Sequence, residues 1–180
     1  MEEKKGNSLS LCLKLTVRDA EGNITAEYEN PYDLATKALA QQIQNNILDT
    51  AESIVDVTNT ARALSANDAA TAPYIVAGTT STAAAFTDYA LGDGTTNTDY
   101  KTNGNYAQSA TINAISSNTF TVTATITNAS GSSITYREIG LANTIATYQF
   151  LLAHDIPNGS TGYTVSNNGT LQVTYTATFT

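Results

Sequence analysis

The chain has 180 residues, enough for one well-packed domain. Sixteen Asp and Glu against eight Lys and Arg give a net charge of -8, a field that opposes any broad phosphate-binding surface, so nucleic acid is not expected as a partner. A single cysteine, Cys12, excludes an internal disulfide and any multi-cysteine metal site.

No apolar run approaches the roughly 18 residues of a membrane span, and the charged start Met1 to Gly6 has no apolar signal region behind it. The expectation is a soluble, unprocessed chain with no membrane partner. Residues 1 to 100 carry nearly all the charge; residues 101 to 180 hold only Lys101, Arg137, Glu138 and Asp155. Thr, Asn and Ser replace charge there, and the 31 threonines of the chain are far above ordinary usage. A solvated face is usually covered by Lys and Glu, so a threonine-covered face points to strands packed against neighbours.

Leu9, Leu11, Leu13, Leu15 and Val17 alternate with polar residues, the period of a strand with one face in a core. Cys12, between two of these leucines, is read as a small core residue. A turn at Asp19 to Asn23 and a second short strand, Ile24 to Glu29, complete an N-terminal hairpin. Asn30-Pro31-Tyr32-Asp33 then reads as a helix start, with proline in the first turn and an acid facing the positive end of the dipole. Leu34, Ala38, Leu39, Ile43 and Ile47 follow at three- and four-residue spacing, which predicts one helix over 31–48. Val55, Val57, Ala61 and Ala63 can share one face of a strand within Ser53 to Ser65, with a helix as the weaker alternative. Tyr74 to Ala77, closed by Gly78, predicts a buried strand. Residues 79–104 carry little periodicity and read as a long loop, which in a compact domain suggests an interaction arm or a loop held by a partner.

The last eighty residues are the most regular. Ala110, Ile112 and Ala114 precede a turn at Ser116-Ser117-Asn118, after which Phe120, Val122, Ala124 and Ile126 alternate with threonines. Ile134 to Asn143 and Thr147 to His154 predict two further strands, and Leu171 to Phe179 repeat the apolar/threonine alternation. Short strands with frequent turns predict a single mainly β domain over 1–180, an antiparallel β-sandwich of jelly-roll or Ig-like type, with one α-helix near the N-terminus and an arm at 1–8.

Chemistry-bearing patterns are sparse. His154, the one histidine, is followed by Asp155, but no Gly-x-Ser-x-Gly elbow supplies a nucleophile, and His154 reads as a strand-end residue near Pro157. One Cys and one His cannot make a zinc site. Asp88, Asp93, Asn97 and Asp99 form an oxygen-rich loop without the spacing or closing glutamate of an EF-hand, so turn chemistry is preferred to calcium. Gly92-Asp93-Gly94 lacks the helix and lysine of a nucleotide loop. Arg137 and Glu138 are adjacent charges sent to opposite faces of a strand, and the inward one needs donors: Glu138 is expected to cap a nearby loop or bond across the sheet, with an intersubunit ion pair as the alternative. Sequons at Asn23, Asn128, Asn158 and Asn168 are expected by chance in so Asn- and Thr-rich a chain. Tyr89, Tyr100 and Tyr106 could contact a sugar or a protein. No catalytic, cofactor-binding or metal-ligating residue is assigned, and no cofactor is expected.

The order of Asp19 to Asn23, Tyr32-Asp33-Leu34, Ile75-Val76-Ala77-Gly78-Thr79, Asp88-Tyr89-Ala90-Leu91-Gly92, Thr135-Tyr136-Arg137-Glu138-Ile139-Gly140-Leu141-Ala142 and Gly169 to Tyr175 resembles β-sandwich virion structural proteins of tailed phages and tailed archaeal viruses. These include capsid decoration, collar and tail or baseplate subunits. The resemblance implies a non-enzymatic accessory subunit located on the virion, a homo-oligomer with a trimer as the favoured form, contacting other virion proteins such as the major capsid or tail protein. The arm 1–8 and the loop 79–104 are the candidate intersubunit contacts. The alternative is a receptor- or carbohydrate-binding module of a viral fibre.

Overall fold

The computed structural model describes residues 9–31, 34–48, 52–64, 73–92 and 106–179. Strand β1 (Leu9–Arg18) follows from its alternation: Leu11, Leu13, Leu15 and Val17 are buried. The chain turns back as β2 (Ile24–Asn30), adds the two-residue β3 (Leu34–Ala35), and enters helix α1 (Lys37–Leu48). A hairpin of β4 (Glu52–Val55) and β5 (Ala61–Leu64) precedes β6 (Tyr74–Gly78), which is buried along its whole length. After the loop come β7 (Ala107–Ser109), β8 (Thr111–Ile112) and β9 (Thr119–Thr127), then β10 (Ile134–Tyr136), β11 (Glu138–Ile145), β12 (Tyr148–Asp155), β13 (Tyr163–Val165) and β14 (Thr170–Phe179).

The protein is mainly β, with antiparallel sheets and one α-helix among the described residues. One five-stranded sheet has the order β2-β1-β14-β9-β8 and the other β3-β12-β11-β6-β7; β10-β13 and β4-β5 form two-stranded ribbons. β7 and β8 are consecutive in sequence yet join different sheets, so the segment from Ala107 to Ile112 closes one edge of both. Side chains from the two large sheets share one apolar core: Leu13, Val173 and Ile126 from the first meet Ile75, Ile139 and Phe150 from the second. On the other face of the first sheet, β9 and β14 place threonines opposite one another, with Thr123 and Thr174 hydroxyls 3.1 Å apart and able to share a hydrogen bond.

Four expectations change. The helix begins at Lys37, later than the spacing from residue 31 implied, because Leu34 and Ala35 pair with His154 and Ala153 of β12 and the Thr36 amide donates to Leu152 O. Sheet pairing overrides helical spacing there; Tyr32 and Asp33 lie outside the described residues. The described part of the segment Ser53 to Ser65, residues 53–64, is a hairpin and not one strand, because Asp56 accepts from the Thr58 and Thr60 amides and pairs with Arg62 at 2.7 Å, while Asn59 takes φ 60°. The strand expected from Ile134 to Asn143 breaks at Arg137, whose amide donates to Gly78 O. Its first part pairs with β13, which the sequence reading did not identify, and its second part with β6 and β12. Cys12 is on the outward face, half-exposed, with Sγ 3.9 Å from Glu29 Oε1, because alternation puts it opposite its leucine neighbours.

Where β9 ends, Asn128 is fully buried and its amide donates to Ser132 O, Val165 O and Ser166 O, tying β10, β13 and the approach to β14 together. This removes Asn128 from any role as a glycan acceptor. Asn128→Ala leaves those carbonyls without their donor and is expected to cost about 1–3 kcal/mol. Urea unfolding checks this; a change below a few tenths of a kcal/mol contradicts it.

Candidate functional site

Glu138 opens β11, beside the end of β6, and its side chain is 0% exposed. Both oxygens accept hydrogen bonds from the segment that follows β6. Oε1 accepts from the Thr80 hydroxyl and, at 3.2 Å, from the Thr82 amide; Oε2 accepts from the Gly92 amide at 2.5 Å. Loop residues on both sides of Asp88 are therefore drawn to one carboxylate. Gly92 is required by the closeness of this approach, since a Cβ there would lie 2.1 Å from Thr82 Oγ1 and 2.8 Å from Glu138 Oε1.

His154 of β12 stands beside Glu138 and is 1% exposed. Its Nε2 is 3.3 Å from Glu138 Oε2, at ion-pair range with an off-line hydrogen, and its Nδ1 is 2.6 Å from Asp88 Oδ2. Each ring nitrogen faces a carboxylate oxygen, an arrangement that only the doubly protonated imidazolium satisfies with donors on both sides. Burial opposes that charge, but Glu138 and Asp88 outweigh it and hold the pKa of His154 above its ordinary value. Burial likewise opposes ionisation of Glu138, and the ion-pair contact with His154 together with the hydrogen bonds from Thr80, Gly92 and Thr82 outweighs it, holding its pKa below the usual range. Asp155, next along β12, has its pKa raised by burial despite bonds from Asn30 and its neighbour's amide.

The same loop is fastened at further points. Asp88 Oδ2 also accepts from the Ala85 amide at 2.7 Å, closing a tight turn. The Lys37 amide at the start of α1 donates to Phe86 O at 2.6 Å, and the Arg137 guanidinium donates to Thr79 O at 3.0 Å. Arg137 and Glu138 leave the chain in opposite directions, as alternation requires, yet both grip the segment after β6. Against this firm attachment the loop presents Phe86 and Tyr89 to solvent, 50% and 38% exposed.

Glu138 thus caps a nearby loop, as its isolation in an uncharged stretch suggested. His154 is a buried link between two carboxylates, where the sequence reading had it as an ordinary strand-end residue. Asp88, expected in turn chemistry, makes the turn and binds His154 as well. Asp93, Asn97, Asp99 and Tyr100 lie outside the described residues, as do the arm 1–8 and the part of the expected loop from 93 to 104. Tyr106 is half-buried, packed edge-on against Tyr136 at 6.0 Å. The two carboxylates sit on opposite sides of the imidazole and do not converge on a common point, and among the described residues no group of three or more His, Cys, Asp and Glu could hold a metal ion. The arrangement fastens a surface segment at several points to buried groups beneath it.

This linkage has a defined sign in pH. With a raised folded-state pKa, the contribution of His154 is fully present below its unfolded value near 6.5 and is lost as pH rises through the folded value. Glu138, with a lowered pKa, contributes above about 4.5 and loses its contribution as pH falls through the folded value. Asp155 acts in the opposite sense on the acid side, so the alkaline limb is the cleaner one to read. His154 is the one histidine, and no other side chain with an ordinary pKa titrates near neutrality. Wild-type stability is expected to fall by on the order of 1–3 kcal/mol as pH rises from 6 through the His154 titration. In His154→Gln that decline should be absent. Denaturant unfolding across pH checks this, and parallel profiles for the two proteins contradict it. Comparisons of the chain with protein-family models, with curated proteins and with solved structures find no match.

Proposed function

We propose that the chain is a non-enzymatic assembly subunit, and that its loop at residues 79–92 is a preformed contact surface for other protein copies. The observation that carries this reading is the position of the Glu138–His154–Asp88 cluster. Burying the Glu138 carboxylate and the His154 ring is expensive, and the groups fixed by that expense, with half-buried Asp88 among them, belong to a surface segment bearing exposed Phe86 and Tyr89. A loop held in one conformation loses little entropy on docking, so its aromatic side chains can contribute more of their burial to affinity.

The two five-stranded sheets, with inward apolar side chains and a shared core, support an antiparallel β-sandwich of jelly-roll or Ig-like type. The threonine-covered face of β9 and β14 offers hydroxyls with little charge, a surface suited to repeated contacts between like subunits. Together with the resemblance in sequence to virion structural proteins of tailed viruses, these features favour an accessory subunit of a capsid or tail, a homo-oligomer with trimeric symmetry preferred, located on the virion. Symmetry multiplies weak contacts, so no single strong site is needed. The second reading, a receptor- or carbohydrate-binding module of a fibre, is favoured by the same pair of exposed aromatic side chains on one fixed loop.

The purified protein is expected to form a discrete oligomer by multi-angle light scattering, and Phe86→Ser with Tyr89→Ser to weaken its association at least tenfold while the fold is kept. A wild-type monomer at all accessible concentrations contradicts the assembly reading. Saturable glycan binding by such a monomer, lost in the double variant, establishes the second reading in its place.

A further inference from the structure

Along the first five-stranded sheet the inward-facing rows are graded. In the row of Val17, Leu171 and Ile126 every side chain is buried, and the β10-β13 ribbon contributes Ile134 and Val165 to the core. Toward the other end the same strands bring Leu11, Ala177 and Phe120 side by side, and the final pair, Leu9 opposite Phe179, is 38% and 48% exposed. Across the gap from this end stand Leu141 and Leu152 of the second sheet, and Leu39 and Ile43 of α1 lie along its side. The space between them is a cleft of ≈ 460 Å³.

We propose that this cleft is a binding site for an uncharged, hydrocarbon-like small molecule, an alkyl chain or a fused aromatic. The volume falls within the roughly 300–1,000 Å³ of small-molecule sites. None of the residues lining it is charged, and the amide of Asn143 on its wall is committed to Gln42, donating to Oε1 at 2.9 Å and accepting from Nε2 at 3.4 Å. Such walls have little to hold a carboxylate or an ammonium group, and they give water few partners, so an apolar occupant gains burial at small polar cost. The inner walls, Val122, Tyr175 and Leu141, are themselves buried core side chains, so the cleft runs inward from the exposed rim of Leu9 and Phe179 to the core. This depth favours a small molecule over a second copy of the chain. The small residue Ala177, where a larger side chain would fill the space, keeps it open. None of the residues lining the cleft belongs to the loop at residues 79–92, so its occupancy does not depend on that loop's role.

The test uses N-phenyl-1-naphthylamine as a fluorescent probe and 1-decanol as competitor on the full chain. Binding is expected to saturate at one probe per chain, to be displaced by decanol, and to weaken at least tenfold in Ala177→Phe and in Val122→Phe. Circular dichroism and thermal unfolding confirm that each variant folds, and either folded variant suffices. Ile115→Ser, which removes a side chain 71% exposed and not among those lining the cleft, should leave binding unchanged. Absence of saturable binding, a signal that follows Ile115, or binding that survives in a folded cleft-filling variant overturns the proposal. So does an oligomer that admits the probe only after Phe179→Ser dissociates it, since the cleft is then the seat of a second copy.

Discussion

A carboxylate with no access to water has to be satisfied by what surrounds it, and at Glu138 nearly all of that comes from chain distant in sequence. The Gly92 amide is 46 residues away, the Thr82 amide 56 and the Thr80 hydroxyl 58, and His154 reaches Glu138 from the neighbouring strand. Removing any one donor leaves charge stranded in a low-dielectric interior, where the penalty exceeds the worth of the bond itself. The cluster therefore acts as a fastening that is either complete or very costly, and the loop over it inherits that property. His154 extends the fastening to Asp88, and Asp88 to the turn at Ala85, so one chain of polar contacts anchored on buried Glu138 and His154 holds the backbone that carries Phe86 and Tyr89.

The sheets provide what this fastening needs. Arg137 is the point at which the chain leaves the ladder with β13 and enters the one with β6 and β12, so Glu138 is the first residue of a strand buried on both faces. Gly140, two residues on, has no room for a side chain: a Cβ would meet Leu151 Cδ1 at 2.7 Å and Val76 Cγ2 at 2.9 Å. This close packing of β6, β11 and β12 holds Glu138 and His154 at a fixed separation. The open end of the sheets, in contrast, lies where the apolar rows run out beyond Leu11 and Ala177. Thus a rigid polar site and an open apolar cleft arise in one fold.

Much of this architecture was legible in the sequence because it rests on local rhythm. The alternation in Leu9 to Val17, in Phe120 to Ile126 and in Leu171 to Ala177 states which side chains face inward, and all of them but Leu9, at the open end, are buried or half-buried accordingly. What depends on distant partners was not legible. Leu34 has good helical spacing but pairs with β12, and Ile134 to Asn143 reads as one strand although its halves belong to different ladders. At the candidate site, an acid isolated in an uncharged stretch signalled that Glu138 needed donors. Nothing near His154 in sequence pointed to Asp88, 66 residues earlier, and only the antiparallel pairing of β11 with β12, with His154 opposite Gly140, brings His154 diagonally beside Glu138.

Backbone-amide hydrogen exchange in Glu138→Gln tests the central claim, that one buried carboxylate fixes the loop. Glutamine keeps a single acceptor oxygen, so its amide group must oppose either the Thr82 amide or the Gly92 amide, donor against donor. Thr82 and Gly92 are expected to lose protection by on the order of 100-fold or more, in keeping with the roughly 3–5 kcal/mol lost when one partner of a buried charge pair is removed. Amides of β14 should keep theirs. Unchanged protection at Thr82 and Gly92 in a folded Glu138→Gln protein contradicts the account.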